Sequence, residues 1–311
     1  MRQKLVVCIG AALIDESFHF EMQPVTGTSN PSTFCRSPGG VARNIANHLA
    51  LLGNSVELIT HFGNDSDGKW LMKNCISCGI GISHSLVNET DTGRYVAMLS
   101  PEGDLFAGAV STQFESLITP AFLQKRIPLL KRASLILMDC NLSSESLDWL
   151  LRFCLNENLQ CIIEPVSVPK AARLQNTNLD NVLLITPNRD EMSAISSEKD
   201  QLQLEILVQH LLKRGVKYLW VRNGKEGSVT YEKDYNFKLD APIVHVKDTT
   251  GAGDAALAGW IHARLTDKNL EDCVRYGHAL ASLILQEKGA IKNNLTSSLL
   301  EDRFIKEIFT I

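Results

Sequence analysis

Asp248-Thr249-Thr250-Gly251-Ala252-Gly253-Asp254 runs directly into Ala255-Ala256-Leu257-Ala258-Gly259-Trp260, a stretch dominated by helix formers. A Gly-Ala-Gly turn at a helix N-terminus presents N–H groups with no intrahelical acceptor together with the positive end of the helix dipole, and so forms an anion site. Phosphate is the obvious anion. Two carboxylates, Asp248 and Asp254, flank the turn with two hydroxyls between them. Local physics offers two readings of Asp254: a first-turn carboxylate that complements the dipole, or a base beside a transferring phosphate. The second carboxylate adds weight to the latter.

Outward from this stretch the pattern is that of a doubly wound sheet. Apolar strands at Leu135–Met138, Cys161–Ile163, Val182–Ile185 and Tyr218–Val221 alternate with helical segments at about 144–156, 189–195 and 201–214. Downstream, helices are expected over about 252–265 and 270–287, after a strand region ending near Val246, with a short helix near 299–309 closing the chain. The N-terminal part differs. A strand over about 4–10 leads into alternating segments, Ser17–Met22 and Thr33–Arg36, and a second alternating pair follows at Tyr95–Leu99 and Leu105–Ala109. The two alternating regions are expected to pair into a small sheet. Between them lies Pro38-Gly39-Gly40-Val41-Ala42-Arg43-Asn44, where a Gly pair opens a helix whose apolar face is Val41, Ile45, Leu49 and Leu52. Such a pair serves either the turn itself or the approach of a ligand.

Composition excludes several function classes. The 311 residues carry 31 Lys and Arg against 35 Asp and Glu, a formal net charge of −4, with no basic stripe for a nucleic-acid polymer. No apolar run approaches the roughly 18–20 residues of a membrane span, and the N-terminus lacks a signal-peptide pattern, so a cytoplasmic location is expected. The eight cysteines form no disulfide framework, and Cys75-Ile76-Ser77-Cys78 has no second pair at zinc spacing. The chain has no G-x-x-x-x-G-K-[ST] phosphate loop and no G-x-G-x-x-G after the first strand, which disfavours a P-loop or nicotinamide site. It has no G-x-S-x-G elbow or H-E-x-x-H helix either.

With Gly39-Gly40 and Asn44 ahead of Asp248–Asp254, the sequence resembles the ribokinase-like (PfkB) family of carbohydrate and nucleoside kinases over essentially its whole length. Asp15 after the first strand and Asn188-Arg189-Asp190-Glu191, an N-x-x-E match, appear in the family's order. So does Arg222-Asn223-Gly224-Lys225-Glu226-Gly227, in place of T-x-G-x-x-G. The resemblance implies a single ribokinase-like α/β domain over 1–311, doubly wound and mostly parallel, with a β-strand lid from about 16–36 and 93–110. Ser29-Asn30-Pro31, Asp139-Cys140-Asn141-Leu142-Ser143, Pro165-Val166-Ser167 and Asn293-Asn294-Leu295 look most like the pseudouridine-phosphorylating members. Sugar kinases of the ribokinase or fructokinase type, other nucleoside kinases and a catalytically silent relative remain the alternatives.

Carried over residue by residue, the resemblance implies Asp254 as catalytic base, with Gly251, Ala252 and Gly253 supplying N–H groups to the transferring phosphate. Asp15, Asn30, Gly39, Gly40 and Asn44 would cradle the sugar. Asn188, Asn223, Gly224, Gly227, Thr249 and Lys170 would meet ATP, although Lys170 reads equally well as an exposed lysine. Glu191 would organise Mg2+ through water, and Asp248 and Thr250 match the usual contributors to a K+ site. Phe18, Phe20, Tyr95 and Met98 offer either a wall for a nucleobase or the packed face of a lid, and Ala279 and Ser282 a small-residue face for adenine. A homodimer through the lid strands is expected. Two departures stand out: Glu164 where relatives often carry Asp before Pro, and Arg222 in place of a hydroxyl-bearing residue.

Overall fold

The computed structural model describes residues 4–196 and 203–309. In chain order its first strands are β1 (Leu5–Ile9), β2 (Leu13–Phe20), β3 (Ser32–Gly39), β4 (Ser55–Ile59), β5 (His61–Gly63), β6 (Leu86–Asn88) and β7 (Arg94–Leu99). They continue with β8 (Leu105–Ser111), β9 (Leu135–Asp139), β10 (Cys161–Glu164), β11 (Val182–Ile185), β12 (Tyr218–Arg222), β13 (Ser228–Glu232) and β14 (Tyr235–Leu239). Eight of them form one sheet in the order β14-β13-β12-β11-β10-β9-β1-β4. From β12 to β4 every neighbour pair is parallel, and the β13–β14 hairpin extends the sheet antiparallel.

The inner strands read as unbroken apolar runs because both faces are covered. Val6 and Cys8 of β1 pack into one core layer with Ile45, Leu257 and Trp260 from the helices Val41–Leu51 and Ala252–Leu265. Val7 and Ile9 point the other way, into a layer with Leu147, Leu150 and Leu211 from the helices Ser144–Asn156 and Leu204–Lys213. The first of those two helices starts where Ser143 Oγ, its N-cap, accepts the Ser146 N–H at 3.1 Å.

Element boundaries differ from expectation in a few places. The helix expected over 201–214 runs Leu204–Lys213, with residues 201 and 202 outside the described set, and the helix expected to reach 287 ends at Ile284. The closing helix is Ser297–Phe309. The strand region ends at Leu239 rather than near Val246: residues 241–246 leave the ladder, and their apolar side chains line a cavity instead. No helix among the described residues is long and apolar enough to cross a membrane. All eight cysteines are free; Cys75 is buried in the core and Cys78 caps the helix Ser66–Ser77.

The alternating segments do pair, as a four-stranded sheet in the order β3-β2-β7-β8. Arg94 reaches Glu16 within the sheet and Asp67 of the body, each at 2.8 Å, and Arg36 also reaches Asp67, so the sheet is tied to the body through Asp67. Asp67 sits in the first turn of the helix Ser66–Ser77.

Candidate active site

Parallel α/β sheets gather ligands at the carboxyl ends of their strands, and here those ends carry polar residues after apolar runs. Asp139 ends β9, Glu164 ends β10 and Arg222 ends β12, while Asn188 follows β11 by three residues. The Asp248–Asp254 segment closes over this edge. Gly251 caps the following helix with φ +73°, and a Cβ there would lie 2.5 Å from the Cβ of Ala290, so glycine is required for both backbone and space. Asp248 organises the turn from behind. Its two carboxylate oxygens accept the N–H groups of Thr250 and Gly289, each at 2.9 Å. Burial works against its charge, but those bonds hold its carboxyl below the usual carboxylate range.

Asp254 stands in the first turn of the helix, and its Oδ2 accepts the Asn44 side-chain N–H at 2.9 Å. Burial pushes its carboxyl up to about 8, against the opposing pull of Asn44 and with the Glu164 charge adding to the rise. Asn44 is itself oriented. Arg43, wholly buried, donates to Asn44 Oδ1 at 3.0 Å and so turns the amide N–H groups toward Asp254. Gly40 starts this helix with φ +99°, and a Cβ there would strike the Ala11 carbonyl at 2.3 Å. Asp139 locks the two loops together by accepting from the N–H groups of Ala11 (3.0 Å), Ala42 (3.1 Å) and Asn141 (3.0 Å); burial nevertheless raises its carboxyl to about 6.

Asp15 and Gly39 lie on adjacent strands of the small sheet, next to this helix start. Burial pushes the Asp15 carboxyl up to about 6, opposed by Arg43. Asp15, Gly39, Gly40, Asn44 and Asp254 are thus brought into one neighbourhood. Asn30 is not: its side chain is taken up by the backbone of Val25 and Thr28 in the β2–β3 loop, beside a separate cavity of about 350 Å³. The expected nucleobase wall is split in the same way. Tyr95 pairs with Asp15 and shares its face, whereas Phe18 pairs with Phe34 and Met98 on the opposite face, and Phe20 stacks edge-on against Phe106 there.

Beyond Asp254 opens a cavity of about 750 Å³, lined among others by Asn188, Glu191, Gly224, Gly227, Thr249, Ala252, Gly253 and Asp254. Asn188 and Glu191 form a reciprocal capping box: the Glu191 N–H reaches Asn188 Oδ1 and the Asn188 N–H reaches Glu191 Oε2, both at 2.9 Å. Burial raises the Glu191 carboxyl, with the Glu164 charge adding to it. Asn223 opens the Gly224–Glu226 turn, and its N–H closes the turn on the Gly227 carbonyl at 2.9 Å. Lys170 is half-buried with its ammonium on Asn141, and burial lowers its pKa. The small-residue face proposed for adenine is rotated from expectation. His278, Ala281 and Leu285 line the cavity, while Ala279 and Ser282 are fully buried.

Three residues that shape the site carried no assigned role in the sequence. Asp139 and Arg43 act on backbone and side chains from elements far apart in the chain. Arg222 reaches Glu164, Thr186 and Gly253; its departure from the family pattern was the one sequence signal that marked it.

A family model described as pfkB family carbohydrate kinase matches residues 3–297. The chain is 30% identical over 294 residues to the pseudouridine kinase of Escherichia coli (strain K12), covering 92% of each protein. It is 29% identical over 303 residues to the uncharacterized sugar kinase YeiI of the same organism, covering 95% of this chain and 82% of that protein. In fold it matches the Arabidopsis thaliana ribokinase solved with ribose and ATP, with a TM-score of 0.78 at 22% identity over 98% of this chain and 99% of that one.

Proposed function

Because the chain belongs to the pfkB family of carbohydrate kinases, an ATP-dependent phosphotransferase acting on a small sugar or nucleoside, we propose that its acceptor is pseudouridine, phosphorylated on the 5′-hydroxyl. The observation that carries the catalytic assignment is the Asn44–Asp254 hydrogen bond, which joins the Gly39-Gly40 segment to the Gly-Ala-Gly turn. A carboxylate held between an acceptor cradle and an anion turn is positioned to act as a base.

In the proposed reaction the acceptor hydroxyl, held by Asp15, Gly39, Gly40 and Asn44, gives its proton to Asp254. Its oxygen bonds to the γ-phosphorus as the bond to the bridging oxygen breaks, and ADP leaves. Gly251 and Gly253 direct their N–H groups at the charge on the transferring group, whereas the Ala252 N–H, expected to join them, is already taken by the Thr249 carbonyl at 3.3 Å; the protein's contribution is positioning and electrostatics. The cavity bounded by Thr249, Gly224 and Gly227 takes the nucleotide, with Asn223 holding its turn. Magnesium bound with ATP neutralises phosphate charge. Glu191 suits it as a water-mediated partner, since one carboxylate oxygen caps the helix while the residue faces the cavity. Asp248, ionised and beneath the turn, would hold a monovalent cation with Thr250. Lys170, turned to Asn141, is left out of the phosphate set.

The four-stranded sheet is proposed as a lid over the acceptor that excludes water. Its exposed Phe34, Met98 and Phe106 support pairing with a second copy of the chain, and sedimentation of the purified protein as a monomer would remove that element. A cytoplasmic location is part of the same reading. Pseudouridine, ribose, fructose and adenosine supplied singly with Mg-ATP, read by ADP release, test the acceptor: a pseudouridine rate no better than that of ribose would favour the sugar-kinase alternative.

A further inference from the structure

We propose that Arg222 is a phosphate-binding residue of the nucleotide cavity, held in register for that task by Glu164; this rests on the ATP-dependent kinase reading of the cavity. Arg222 ends β12 and Glu164 ends β10, and the two reach across the end of β11 between them. Arg222 Nη2 donates to both Glu164 oxygens, at 2.8 and 3.0 Å, and to the Thr186 carbonyl at 2.7 Å. Its Nη1 donates to the Gly253 carbonyl at 3.0 Å. These contacts fix the guanidinium plane, and Arg222 lines the cavity beside Gly253. Among the described residues no acceptor takes the second Nη1 hydrogen or the Nε–H. A guanidinium carries five donors in a rigid fork, and the second hydrogen of Nη1, the nitrogen already bonded to Gly253, is available to a phosphate next to the Gly-Ala-Gly turn.

Charge points the same way. Glu164, Glu191 and Asp254 all line the cavity, and against them stand Arg222 and Lys225 as the lining cations. A polyphosphate entering such a space needs a fixed positive donor at the turn, and Arg222 is the cation bonded to the turn itself. Glu164 is almost wholly buried, with Arg222 as its ion-pair partner, so each orients the other. The two departures from the family pattern are therefore one unit: a longer carboxylate meets a long cation where a shorter acid and a hydroxyl are usual.

Calorimetric titration of the full chain with ATP and, separately, adenosine tests this. Arg222→Gln alone leaves Glu164 buried and unpaired, so the Arg222→Gln/Glu164→Gln double variant, whose melting temperature is checked first, provides a second arm that preserves hydrogen bonding. Both variants are expected to lose ATP affinity by about tenfold or more, the scale of a lost charge-assisted bond, with adenosine affinity unchanged. Variants that bind ATP like the wild type, or that lose ATP and adenosine in equal proportion, would overturn the assignment. A wild-type chain that binds neither would overturn the nucleotide site itself, which separates the two failures.

Discussion

Replacing Asn44 with Ala removes the side-chain N–H that donates to Asp254 Oδ2 at 2.9 Å. Burial has already pushed the Asp254 carboxyl up to about 8, and Asn44 is the leading influence holding it down. A base acts only when ionised, so activity should be present above that value and fade as pH falls through it. At pH 7 only about a tenth of the carboxyl is ionised by that reckoning. A hydrogen bond to a charged group contributes about 1.5–3 kcal/mol, equivalent to a one- to two-step shift of a pKa at about 1.4 kcal/mol each. The Asn44→Ala midpoint is therefore expected at about 9–10, with kcat/KM at pH 7 lowered by about ten- to a hundredfold and much of the loss recovered in alkali. The assay is the pH profile of kcat/KM at low acceptor, which reports the free enzyme. Loss of an acceptor contact alone would depress the whole profile without moving its midpoint. A midpoint that stays in place or falls would refute the reasoning.

Other outcomes follow from the same geometry. Asp254→Asn should still bind ATP and acceptor by calorimetry while turnover falls by at least about a hundredfold; near-normal turnover would remove the assigned base. Gly251→Ala forces a side chain at positive φ against Ala290, so it should cost about 1–3 kcal/mol of stability by denaturant unfolding and impair turnover along with it. Asp139→Asn sets an amide donor among three N–H groups that now share a carboxylate, and the loss should be about 1–3 kcal/mol, read as a lower urea midpoint.

Much of this architecture can be read before any coordinates. The unbroken run Val182–Ile185 between turns, and the helical segment over about 144–156, are each located because local physics alone decides them. The same holds for the Gly-Ala-Gly turn, where Gly251 takes a positive φ ahead of a helix. What could not be read depends on partners far away in sequence. Residues 15, 17 and 19 must face one side of β2 and 16, 18 and 20 the other. Which residue of β7 stands opposite each of them is set by strand register, and that register puts Tyr95, but not Met98, on the Asp15 face. The apolar residues at 241–246 mimic a strand pattern while lining a cavity, since alternation does not distinguish a sheet face from a pocket wall. The Glu164–Arg222 pair needs the strand order itself, because β11 lies between its members.

One competition experiment bears most directly on the central claim. Pseudouridine, ribose, fructose and adenosine, present together at equal concentration with limiting Mg-ATP, are separated after reaction and the phosphate esters identified. Pseudouridine 5′-phosphate should dominate the products. Predominance of a sugar phosphate or of AMP, or consumption of ATP with no ester formed, would contradict the account.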